Sequence, residues 1–147
     1  MTRAATSIVD TDVFSVLYLR SGSSDPRASE RREQVAGRRV VISFQTRAEA
    51  LAGARTAGWG ERRIAETVKI LNDTPTIYPD KDVVDAYATL VGACRRSGHA
   101  LHDSKHTGDR GIAACAIAKR VDLLAGDSIY RDTPNLTLAN RGKGTHG

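Results

Sequence analysis

The chain has 147 residues, of which 40% are hydrophobic and 27% charged, and 22 basic against 17 acidic residues leave a net charge of +5. That length suits one domain with its own core, and the hydrophobic share excludes wholesale disorder. No apolar run approaches the ~18 residues of a membrane span, and the opening Met1-Thr-Arg-Ala-Ala-Thr-Ser-Ile-Val-Asp10 lacks the apolar centre of an export signal, so no membrane partner and a cytoplasmic location are expected.

Strand-like and helix-like segments alternate along the chain. A short strand at Ala5–Asp10 leads into an apolar helix, Val13 to Leu19. Ser21 to Pro26 reads as a loop, with Ser24 or Asp25 placed to cap a charged helix, Arg27–Ala36, that ends at Gly37. A second strand, Val40–Ser43, precedes a helix carrying Ala48, Leu51, Ala52 and Ala54 up to Gly58. The next helix, Glu61–Leu71, sets Ile64, Val68 and Leu71 on one face.

Thr76–Tyr78, between two prolines, is a third strand. Asp80 caps a helix over Lys81–Ser97 with Val84, Tyr87, Ala88, Val91 and Cys94 inward. Gly98 to Gly108 reads as a polar loop. A helix over Gly111–Arg120, a strand over Asp122–Ala125 and a last short strand over Leu136–Leu138 follow. Alternation of this kind predicts a mainly parallel sheet with helices on both faces. A single domain, residues 1–139, is expected, with 140–147 as a frayed tail.

Several patterns carry no chemistry. His99, His102 and His106 fall in the polar loop on no defined helix face and read as surface residues rather than zinc ligands. Gly142-Lys-Gly-Thr145 lacks the upstream glycine and the flanking strand and helix of a phosphate loop. Cys94 and Cys115 lie far apart in helical patterns without a histidine partner, as packed thiols of a reduced protein. Arginine pairs at 31–32, 38–39, 62–63 and 95–96 are either solvated helix faces or a footprint for a polyanion, nucleic acid foremost.

Four acids remain. Asp10 closes the first strand, Glu49 lies in the first turns after the second, Asp109 precedes the Gly111 helix and Asp127 follows the Leu123-Leu124 strand. Strand carboxyl ends converge on one crevice in an open α/β sheet, and clustered carboxylates call for a hard cation. Singly, each has an ordinary alternative: Asp10 or Asp12 caps the Val13 helix, Asp109 caps the Gly111 helix, Glu49 is solvated and Asp127 sits in a turn.

The segments around these acids resemble a known family. Ile8-Val-Asp-Thr-Asp-Val-Phe-Ser15 resembles the opening of PIN-domain proteins, and Val41 to Ala54 is similar to their second motif, centred on the glutamate. Gly108-Asp-Arg-Gly-Ile-Ala-Ala-Cys-Ala-Ile-Ala118 and Leu124-Ala-Gly-Asp-Ser-Ile-Tyr-Arg-Asp-Thr-Pro-Asn-Leu136 are similar to the third and fourth. The order holds from about Ile8 to Leu138, and length and spacing resemble the VapC-type toxins of bacterial toxin–antitoxin pairs.

The resemblance implies a three-layer α/β/α PIN-like fold and an endoribonuclease dependent on Mg²⁺ or Mn²⁺, with Asp10, Glu49, Asp109 and Asp127 as catalytic residues and metal ligands. Thr11 and Asp12 would support them, and Arg110 is a weak candidate for RNA contact. It further implies structured RNA, such as transfer or ribosomal RNA, as substrate, a small cognate antitoxin, and a homodimer or toxin–antitoxin hetero-oligomer. Two departures stand out: Gly111 where the family places a bulky apolar residue, leaving less packing beside Asp109, and Ala125 where a Ser or Thr often stands. They keep a rival open, a catalytically impaired PIN-like module that binds RNA or a partner.

Overall fold

The computed structural model describes residues 5–19 and 25–139. Four parallel strands, β1 (Thr6–Val9), β2 (Arg39–Ser43), β3 (Thr76–Ile77) and β4 (Asp122–Leu124), form one sheet in the order β3-β2-β1-β4. Helices fill the intervals: α1 (Thr11–Phe14), α2 (Arg27–Val35), α3 (Phe44–Thr56), α4 (Glu61–Asn72), α5 (Lys81–Ser97) and α6 (Thr107–Lys119). α1 runs straight into a π-helical turn, Ser15–Leu19, so the expected apolar helix is present in two windings.

Period-two alternation along the strands separates two cores. Ile8, Val41 and Leu123 face α5 and α6, in a cluster with Val83, Leu90, Leu101 and Ile112. Val9, Ile42 and Leu124 face the other way, onto Val13, Phe14, Ala50 and Leu71 of α1, α3 and α4. The three-layer expectation is met because each buried strand residue has a helix on its own side. Cys94 and Cys115 both lie fully buried in the first cluster, as free thiols, and burial pushes the Cys115 thiol up to about 11. Among the described residues no helix is long and apolar enough to cross a membrane.

Several expectations are corrected. α6 begins at Thr107, four residues before the expected start, because the polar stretch ahead of it folds into two 3₁₀ turns, Ala100–His102 and Ser104–His106, capped by His99 and Asp103. Asp109 therefore sits inside the first turn and does not cap the helix. On α5 the buried stripe is Val83, Leu90 and Cys94 with Tyr87 packed beside it, whereas Val84 and Ala88 point to solvent; the expected stripe was rotated by about one residue. The last strand is reduced to a single bridge, Leu123 with Leu138. Left-handed Asp132 and Asn135 bend the chain just upstream, and Leu136 N–H turns back to the Thr133 carbonyl, so only Thr137 and Ala139 reach β4. Ser24 and the 140–147 tail lie outside the described residues.

Candidate active site

The strand order reverses between β1 and β4, and this switch point opens a crevice at the strands' carboxyl ends. Asp10 occupies it. Its amide still donates to the Leu124 carbonyl at 3.2 Å, extending the β1–β4 pairing by one step. Its Oδ1 accepts the Val13 amide at 2.9 Å, capping α1, and its Oδ2 accepts the amides of Gly126 at 2.7 Å and Asp127 at 3.2 Å. The capping alternative is thus correct and incomplete, because the same carboxylate also ties β1 to the loop after β4. Asp10 is only 3% exposed. Burial drives its carboxyl up to about 6, against the opposing pull of its three backbone donors, and the charge of Asp12 adds to the rise.

Tyr130 links the remaining aspartates. Its ring is buried at the end of a 3₁₀ turn, Ser128–Tyr130, that Asp127 caps by accepting the Ile129 amide. Its hydroxyl donates to Asp109 Oδ1 at 3.3 Å. Burial first, then the charges of Asp109, Asp10 and Asp127, raise its phenol far above the ordinary value, so it remains a proton donor among three carboxylates. The other Asp109 oxygen lies 2.9 Å from His106 Nδ1. Neither Tyr130 nor His106 stood out in the sequence. Tyr130 is an unassigned residue of the fourth motif, and His106 is grouped with its neighbours as a surface histidine.

Glu49 reaches the same region from α3. Ser43 caps that helix by accepting the Thr46 amide, and a hydroxyl chain runs from Ser43 through Thr46 to Thr11. Thr11 Oγ1 donates to Glu49 Oε1 at 2.5 Å, and Gln45 donates to Oε2 at 3.1 Å. α6 starts so close by that a Cβ at Gly108 would sit 3.4 Å from Glu49 Oε2. Thr11 therefore acts on Glu49 rather than on Asp10, its neighbour in sequence.

The supporting residues divide. Asp12 pairs with Arg27 of α2 at 2.9 Å and crowds Gly126, where any Cβ would collide with its side chain. Arg110, the weak candidate for RNA contact, is 8% exposed, and its guanidinium donates to the carbonyls of Leu101 and Asp103, the Tyr87 hydroxyl and Thr107 Oγ1. It pins the 3₁₀ turns and α5 to the start of α6. Arg110→Ala is expected to cost about 2–4 kcal/mol in urea unfolding, since the buried Leu101 carbonyl and the part-buried Asp103 carbonyl lose their donor, and Arg110→Lys should recover little of it.

His99 is half-buried and bonded: its Nδ1 accepts the Leu101 amide and its Nε2 therefore donates to the Arg131 carbonyl at 2.7 Å. The space beside Gly111 is filled by Phe44, whose Cζ would lie 3.4 Å from an added Cβ, so the expected loss of packing is made good from α3. Of the arginine pairs, Arg38 bonds Ser7 and lies 3.6 Å from Asp122, and Arg62 lies 3.4 Å from Glu66.

Among the described residues no three His, Cys, Asp or Glu side chains converge as a closed metal cage. The donor set nevertheless fits a hard cation that keeps most of its water and takes one or two carboxylates. All four acids offer oxygen only, and Asp10, whose charge burial opposes, gains most from a cation beside it.

Known structures share this architecture. VapBC2 from Rickettsia felis bound to a DNA fragment from its promoter aligns with a TM-score of 0.71 at 18% identity, over 90% of this chain and 96% of that one. DNA-bound VapBC from Salmonella typhimurium gives 0.71 at 17% identity, over 91% and 96%, and VapBC-1 from nontypeable Haemophilus influenzae gives 0.70 at 19%, over 90% and 96%. No curated protein matches the chain in sequence. The PIN-domain family model, however, matches residues 7–136, from β1 to just before the segment that bridges β4, and the protein belongs to the PIN-domain family.

Proposed function

We propose that this chain is a VapC-like endoribonuclease toxin dependent on Mg²⁺ or Mn²⁺, cleaving structured RNA such as transfer or ribosomal RNA and so inhibiting translation. The observation that carries the reading is the placement of Asp10 at the sheet's switch point, bonded by the Asp127 amide, with Asp109 held by the Tyr130 hydroxyl and Glu49 beside the first turn of α6. Family membership and the likeness to VapBC structures support it. On the same reading a small cognate antitoxin neutralises the chain, which assembles as a homodimer or with that antitoxin.

Asp10, Glu49, Asp109 and Asp127 would hold the cation, which when bound supplies a more acidic water and offsets charge on the phosphoryl group. The chain's own part is to fix the carboxylates in advance. Three backbone amides lock Asp10, Thr11 and Gln45 hold the two oxygens of Glu49, and Tyr130 and His106 orient Asp109. Such pre-setting removes reorganisation from the chemical step. The purified protein should cleave RNA with Mg²⁺ and not with EDTA, with defined ends mapped against an Asp109→Asn control. Identical ends from wild type and control would overturn the proposal.

The rival, a binding module without catalysis, draws on the lack of a closed cage and the hydrogen bonds that already occupy each acid. Mn²⁺ titration separates the two, since only the nuclease reading requires binding that disappears with Asp10 and Asp109.

A further inference from the structure

A groove of about 370 Å³ has Glu49 in its wall, and its volume falls within the range of ligand-sized clefts. Thr11 and Glu49 form one end, Trp59 and Arg63 the other, and Ala50 and Gly53 of α3 lie between. The Arg63 guanidinium sits over the Trp59 ring at 3.8 Å from its centroid. Among the described residues it has no carboxylate partner. Nothing approaches within 4 Å of a Cβ placed at Gly53, so the middle of the groove is open to a flat guest. The neighbouring Arg62 is tied to Glu66.

We propose that this groove is a subsite for a single-stranded nucleotide next to the scissile phosphate, its base stacked on the Trp59–Arg63 pair and its phosphate drawn to Arg63. The proposal rests on the nuclease reading for its direction: Glu49 lines the groove and is one of the four acids of that reading, so a strand threaded along the groove leads to the proposed centre. An indole plane and a guanidinium plane are the two surfaces on which unpaired bases stack. Ala50, Gly53 and Ala54 of α3 leave room for a base, Leu19 adds an apolar wall, and the Arg63 guanidinium complements a phosphate rather than a peptide carbonyl. Stacking of this kind tolerates any base, so the subsite would favour unpaired over duplex RNA without reading sequence.

Trp59 is the chain's single tryptophan, and its emission reports the groove alone. The test titrates a short fluorescently labelled single-stranded oligoadenylate into the full chain in the Asp109→Asn background with Mg²⁺, following tryptophan emission and oligonucleotide anisotropy together. Saturable quenching that tracks the anisotropy is expected. Gly53→Leu, which fills the groove at a helix position where leucine is the better helix former, should weaken binding about tenfold or more. Arg63→Gln should weaken it several-fold and flatten its salt dependence.

Three results would overturn the subsite: no binding, binding with unchanged Trp59 emission, or unaltered affinity in a Gly53→Leu variant shown by circular dichroism to be folded. The last would assign the groove to another class of occupant, such as a peptide. Mg²⁺-dependent cleavage by the wild type is measured in parallel, so a lost subsite with intact cleavage leaves the nuclease reading standing. Intact quenching without cleavage does the reverse.

Discussion

Asp109→Asn is expected to lower Mg²⁺-dependent RNA cleavage by about a thousandfold or more while leaving the fold in place. Both carboxylate oxygens of Asp109 already have neighbours, the Tyr130 hydroxyl at 3.3 Å and His106 Nδ1 at 2.9 Å. Asparagine keeps one oxygen for the tyrosine and nearly the same shape, so packing is preserved. What it loses is the negative charge, together with a favourable acid in the first turn of α6, a contribution of only about 0.3–1 kcal/mol. Single-turnover cleavage and thermal melting on the same preparation separate the two effects. Asp12→Asn is the contrasting case: its carboxylate is paired with Arg27 on the surface, and a change within about tenfold is expected. Wild-type rates in Asp109→Asn would remove it from the catalytic centre.

The second large effect concerns Asp10 and pH. In the fold its carboxyl titrates near 6, above the ordinary 3.8. Between those values the native state holds a proton that the unfolded chain has released, so stability falls as pH rises through the window and levels off above about 6. The total is on the order of 3 kcal/mol. Asparagine at position 10 removes the titration but gives up one acceptor among three amides. Urea unfolding in EDTA from pH 4 to 7 should therefore give a wild-type minus Asp10→Asn difference that declines with pH. A flat difference would show that the folded carboxyl is not raised. Mg²⁺ offsets the same charge, so its stabilising effect should be large at pH 7.5 and shrink towards pH 5, where protons compete for the oxygen.

Much of this arrangement is legible in the amino-acid sequence. Alternating apolar runs determine the strands, and the parallel order follows because every connection between strands contains a helix. Asp10 and Asp127 fall at strand ends, so their positions follow from the topology. The errors arise where local pattern does not decide. The Gly98–Gly108 stretch is polar in composition, yet Arg110 collects its carbonyls and folds it into turns, a contact only tertiary structure supplies. Val83 and Val84 are equivalent as residues, and helix packing alone chooses between them. Tyr130 and His106 owe their roles to what they point at, which sequence spacing does not encode. Gly111 looked like a missing side chain until Phe44 proved to occupy its place.

The two cysteines carry a practical consequence. Both are sealed in the core formed by the sheet, α5 and α6, and burial holds both thiols above their ordinary ionisation. Little thiolate forms at neutral pH and none of it meets solvent, so oxidants and alkylating reagents should pass the native protein by. Modification then waits on opening of the α5–α6 layer, and its rate becomes a gauge of how often that layer parts. The same silence lets one cysteine engineered onto the surface be labelled without touching the native pair.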